Sequence, residues 1–155
     1  MSRAKNSIQL DATSKKLVEL LQQDGRRSYA ELGKAVGLSE AATRQRVQKL
    51  MDAQVMQIVA VTDPMSLGFH RVAMIGVKTS GDTRRVADSL ALLPAVSYLV
   101  MSAGSFDILA EIVCEDDADL IELLNSQIRT IEGVASTETF VYLELKKQKY
   151  GWGTR

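Results

Sequence analysis

Apolar residues in the first third of the chain recur at helical spacing. Leu17, Leu20 and Leu21 fall on one face, with Lys15, Lys16, Glu19, Gln22 and Gln23 on the others. Leu10-Asp11 opens this helix, with Asp11 as N-cap, and Gly25 stops it. Ser28-Tyr29-Ala30-Glu31 has capping-box spacing and predicts a second, short helix. Its apolar face would be Leu32, Ala35 and Val36, and Gly37 ends it. Ser39 is a further N-cap signal, and a third helix runs from it to about Asp52, with Thr43, Val47 and Leu50 inward. Two short helices joined by a Gly-containing turn form the helix-turn-helix pattern. The β-branched segment 55–61 predicts a strand after the third helix, in the place of a wing, and Asp63-Pro64 breaks it.

From residue 70 the rhythm changes. The pattern predicts strands over 70–79, 96–102, 106–114 and 134–145. Helices are predicted over 83–93, on Val86 and Leu90, and over 117–131, on Leu120, Leu124, Ile128 and Ile131. The order β-α-β-β-α-β is the ferredoxin-like unit. The fold class is therefore α+β, with a winged helix-turn-helix at 1–62, a linker at 63–69, a ferredoxin-like domain at 70–145 and a tail at 146–155.

Charge sharpens this division. The net charge is zero, yet residues 1–62 carry ten Lys/Arg against six Asp/Glu, and residues 63–145 carry five against thirteen. The tail adds four basic residues and no acidic one. A basic first part on an acidic body fits a molecule whose first part meets a polyanion. The 46% apolar and 25% charged composition is that of a globular chain, and the apolar runs are too short for a membrane span. Met1 to Gln9 is polar, with no apolar core of a secretion signal, so cytoplasm is the expected compartment.

The outward residues of the third helix would be Glu40, Ala41, Arg44, Gln45 and Gln48. Arg and Gln make bidentate contacts with guanine and adenine edges in the major groove. Ser39 and the first-turn N–H groups suit a phosphate, and Arg26, Arg27, Arg46 and Lys49 would add phosphate contacts. The same residues also suit a merely solvated amphipathic helix; the sequence of caps, Gly turn and following strand favours double-stranded DNA.

These motifs together resemble the feast/famine (Lrp/AsnC) transcription regulators. The matching run is Leu10-Asp11, Leu20-Leu21-Gln22, Asp24-Gly25-Arg26, Glu31-Leu32, Val36-Gly37-Leu38-Ser39, Arg46-Val47, Leu50 and Asp63-Pro64. Residues 70–145 resemble the family's effector domain through Ala103-Gly104-Ser105-Phe106-Asp107 and Ile131-Glu132-Gly133-Val134. One departure stands out: where the family usually has Gly between recognition helix and wing, this chain has Gln54. That turn must use another geometry or take a positive φ at some cost.

The resemblance implies sheet-to-sheet homodimers, often assembled into octamers, and a small-molecule effector such as an amino acid. Gly104, Ser105, Phe106 and Asp107 are the candidate effector element: turn N–H groups for a carboxylate, Asp107 for an ammonium group. Ser136, Thr137 and Thr139 are further candidates. Read as a hairpin alone, the turn needs Gly and Ser only for its backbone angles. Two other readings stay open: an architectural DNA-binding protein without effector, and a small enzyme or regulatory subunit on a ferredoxin-like domain. For the enzyme no nucleophile, base and orienter can be assembled from one histidine, His70, and one cysteine, Cys114. No cofactor or metal is expected. The run Glu115-Asp116-Asp117 with Asp119 reads as acidic residues at a helix start.

Overall fold

The computed structural model describes residues 10–154, so the polar start from Met1 to Gln9 lies outside the described residues. The chain forms two compact units. One contains the first three helices and regains the chain at Lys147; the other runs from Val61 to Lys146.

In the first unit, α1 (Ala12–Gln23), α2 (Tyr29–Val36) and α3 (Glu40–Asp52) close on Leu17, Leu20, Leu21, Leu32 and Val47. Each helix starts at the side chain foreseen for it. Asp11 accepts from Ser14 N at 2.7 Å, Ser28 and Glu31 form the reciprocal capping box, and Ser39 accepts from Ala42 N at 3.2 Å. Inward Thr43 is fully buried and satisfies its hydroxyl on the Ser39 carbonyl at 2.9 Å. The face of α2 differs from expectation: Ala35 is exposed and Gly33 is buried. A Cβ on Gly33 would stand 2.6 Å from the Leu38 carbonyl oxygen, so the turn into α3 packs directly on this bare backbone.

Gln54 takes φ +56°, the second of the two outcomes open to it. Val55 N donates to Leu50 O at 3.0 Å and Gln54 N to Met51 O at 2.9 Å, so α3 ends in a Schellman motif with a left-handed glutamine where glycine is usual. The strand expected over 55–61 does not form. Those residues are not in a strand and have no strand partner among the described residues. β-branched side chains favour extended backbone, but a ladder needs a neighbour. Asp63 then accepts from Met65 N and Ser66 N to start a 3-10 turn, Met65–Leu67.

The second unit is a four-stranded antiparallel sheet of order β2-β3-β1-β4: β1 (Arg71–Thr79), β2 (Val96–Met101), β3 (Ile108–Cys114) and β4 (Val134–Val141). With α4 (Thr83–Leu90) and α5 (Asp117–Glu122) it gives the βαββαβ order expected. One face, with Ala73, Ile75, Val77, Ile108, Ala110 and Ile112, is buried beneath the helices on Val86, Leu90, Leu120, Leu123 and Ile128. The opposite face carries Val72, Met74, Tyr98, Val100, Leu109, Val113 and Phe140 by register.

Several boundaries shift, α4 for one ending at Leu90 rather than at residue 93. β3 begins at Ile108, because Phe106 and Asp107 belong to a turn closed by Ser102 N donating to Asp107 O at 2.8 Å. β4 stops at Val141 rather than Leu145: Tyr142 N donates to Val72 O, and β1, starting at Arg71, offers little backbone beyond. α5 passes into a π-helical stretch, Leu123–Ile128. Leu120, Leu124 and Ile128 are spaced by four, wider than an α turn, and the π stretch keeps all three buried.

Candidate DNA-binding interface

The outer face of α3 is the candidate interface. Glu40, Ala41, Arg44, Gln45, Gln48, Lys49 and Asp52 line one shallow open groove along it. Thr43, Val47 and Leu50 turn inward, as their spacing predicts. Gln48 Nε2 donates to Asp52 Oδ1 at 2.8 Å. Arg44 pairs with Glu40 one turn earlier at 3.3 Å, and its guanidinium lies 5.0 Å from the centroid of the Tyr29 ring.

The remaining basic candidates divide. Arg26 is exposed, its N–H held by Asp24 at 2.9 Å, and Arg27 is half-buried. Ser39 is exposed at the N-terminus of α3 while its hydroxyl caps the helix. Arg46, expected to reach phosphate, is half-buried and already paired. Its NH1 meets Asp11 Oδ2 at 2.5 Å and Ser14 Oγ at 3.0 Å, tying α3 to the start of α1. Position 46 lies between the inward and outward stripes of α3, and periodicity alone does not decide such a flank. These bonds, the Ser14 N–H first, hold the Asp11 carboxyl down at about 2.

The residues proposed for an effector lie around the distal end of β1. Gly104 needs no special backbone: its φ is not positive, and an added Cβ would meet nothing within 4 Å. Ser105 is exposed. The Phe106 ring lies against Gly76, where a Cβ would come within 2.7 Å of it, and meets Phe140 edge-on with centroids 6.0 Å apart. Phe106 thus fills the gap a strand glycine leaves. Asp107 Oδ2 accepts from Thr79 N at 2.8 Å and Thr79 Oγ1 at 3.2 Å, which fastens the turn to β1. On β4, Ser136 pairs with Lys78, Thr137 with Val77 and Thr139 with Ile75. Thr137 Oγ1 accepts from Arg129 Nε at 3.0 Å.

Other singled-out groups are structural. Cys114 is buried, and burial pushes its thiol up to about 11. Asp116 caps α5 by accepting from Asp119 N at 2.9 Å, and Asp117 pairs with Arg71. Among the described residues no cluster could hold a metal ion, and no helix is long and apolar enough to cross a membrane. Sequence reading missed Tyr29 and Gly33. A glycine inside an eight-residue helix was the available signal for Gly33, since it costs about 1 kcal/mol against alanine and calls for a packing reason.

Both halves match known families. Residues 10–51 match the AsnC-type helix-turn-helix domain, and residues 69–155 match an AsnC-family domain described as a C-terminal dimeric α+β barrel. The chain belongs to the AsnC family of transcription regulators. An uncharacterised HTH-type transcriptional regulator of Pyrococcus furiosus is 34% identical over 91% of this chain and 97% of its own length. The proline dehydrogenase transcriptional activator of Rhizobium radiobacter is 31% identical over 96% and 98%. Among solved structures, E. coli AsnC aligns with a TM-score of 0.79 at 26% identity, covering 91% of this chain and 97% of that one. A Neisseria meningitidis regulator, solved as a complex with L-methionine, shares the fold with a TM-score of 0.80 at 24% identity, covering 94% and 96%. As an AsnC-family member the chain is a DNA-binding transcription regulator and not an enzyme.

Proposed function

We propose that this regulator recognises specific operator sequences through the outer face of α3. Arg44, Gln45 and Gln48 read base edges, while Arg26, Arg27, Ser39 and Lys49 contact phosphates and Glu40 and Ala41 border the groove floor. The observation that carries this reading is the open groove on the outer face of α3, lined by Arg44, Gln45, Gln48 and Lys49, on a helix capped by Ser39.

The chain works as a homodimer in the cytoplasm, burying the apolar sheet face around Met74, Leu109 and Phe140 against a second copy, and such dimers can build octamers. A two-fold dimer suits a palindromic operator with half-sites about one DNA turn, or a multiple of it, apart. A small-molecule effector related to amino acids shifts DNA affinity by favouring one assembly. Gly104–Asp107 border its site with Ser136, whereas Thr137 and Thr139 stand on the helix-covered side of β4; the L-methionine carried by the Neisseria neighbour supports the ligand class.

The test is a gel-shift titration on duplexes selected from a random pool. Arg44→Ala costs about 1–3 kcal/mol on the selected duplex and relaxes one base position. Lys49→Ala weakens all sequences alike and lowers the salt slope by about one. Unchanged preference in Arg44→Ala sinks the assignment of α3.

A further inference from the structure

Arg44 is the α3 side chain best suited to reading guanine, and it is not left loose. Its guanidinium rests 5.0 Å from the Tyr29 ring centroid on one side, and Glu40 Oε1 takes its NH2 at 3.3 Å on another. Tyr29 is itself fixed. It is the first residue of α2, immediately after the Ser28–Glu31 capping box, and it is half-buried against the helix core. A cation over an aromatic face is held by the ring quadrupole, and a planar guanidinium also stacks there. Without such support a long arginine samples many rotamers and loses that freedom on binding.

We infer that Tyr29 is a positioning residue for base readout: its ring presets the Arg44 guanidinium for the major groove, with Glu40 occupying the NH2 edge until a base replaces it. This rests on the reading of α3 as the base-reading helix. Exposed ion pairs are weak, so Glu40 releases Arg44 readily, whereas the ring contact is compatible with a guanidinium edge that is bonded to guanine. Tyr29 thereby contributes to sequence preference without touching a base.

The experiment measures affinity for a duplex selected by the wild-type chain and for a random duplex pool, across salt. Tyr29→Leu should lower affinity for the selected duplex about two- to fivefold. It should relax the same base position as Arg44→Ala and leave random-pool affinity and salt slope unchanged. Tyr29→Phe should retain preference, and Tyr29→Leu should add nothing in the Arg44→Ala background. Phenylalanines of increasing fluorination at position 29 keep the ring's shape while weakening its quadrupole, so preference should fall stepwise with fluorination even if Tyr29→Leu folds poorly. If Arg44→Ala relaxes preference while Tyr29→Leu and the fluorinated series do not, the positioning role is overturned. An equal loss on selected and random duplexes also overturns it, by making the ring purely structural. If Arg44→Ala itself changes nothing, it is the reading of α3 that has failed.

Discussion

Arg46 of α3 and Asp11 at the start of α1 are joined by an ion pair with N···O of 2.5 Å, across 35 positions of sequence. The same carboxylate caps α1 through Ser14 N. Its carboxyl titrates at about 2 rather than 3.8. A depressed folded-state pKa contributes stability that is complete above about 4 and is lost as pH falls through about 2. Asp11→Asn keeps an N-cap acceptor but removes the charge. Acid titrations followed by circular dichroism should show a flatter stability profile between those pH values in the variant. An identical acid limb would show that the pair does not contribute.

Gln54 holds φ +56° at the end of α3, a conformation that L side chains adopt at a cost. Gln54→Gly removes that strain but adds freedom to the unfolded chain. The net expectation is a stabilisation of about 0.5–1 kcal/mol, read as a higher denaturant midpoint at unchanged slope. A lower midpoint would mean that Gln54's side chain contributes more than its backbone costs.

Gly33 has the opposite character. Its built Cβ would stand 2.6 Å from Leu38 O and 3.1 Å from Thr43 Oγ1, and the first of these is backbone that cannot swing aside. Gly33→Ala should destabilise the DNA-binding unit by about 1–3 kcal/mol despite alanine's higher helix propensity. Thermal melts decide between the two effects, since propensity alone would raise the midpoint.

Asp107 gives a sharper test of effector binding now that its partner is known. Asp107→Ala leaves Thr79 N–H without its acceptor, a cost of about 1–3 kcal/mol that confounds any ligand measurement. Asp107→Asn keeps the acceptor oxygen and removes only the charge. Calorimetry with a panel of free amino acids should therefore find binding to the wild-type chain and much weaker binding to Asp107→Asn, with melting little changed. Equal binding by both proteins would place the ammonium contact elsewhere. A wholly silent panel would favour an architectural DNA-binding protein.

What the sequence disclosed follows the range of the interactions. Caps at Asp11, Ser28 and Ser39 act over three residues, and α3's inward triad repeats every three or four, so both were legible. Interactions reaching farther were not. Arg46 carries no sign that Asp11, 35 positions away, will claim it. Phe106 gave no sign that its ring would cover Gly76, because that glycine sits on another strand. Segment 55–61 had the residues of a strand but not the neighbour that would make it one. The π stretch was missed because leucines spaced by four fit both helix types.

Gly153 and Thr154 fold back on α1. Gly153 N donates to Gln22 Oε1 at 3.0 Å and Thr154 Oγ1 to Glu19 Oε1 at 2.5 Å. The core of Leu17, Leu32 and Val47 can close early in synthesis, while these two bonds wait until translation has reached residue 154. Until then a nascent chain carries its helix-turn-helix with this side of α1 unclaimed. A chain cut before Gly153 would therefore carry a DNA-binding unit finished differently from the one described.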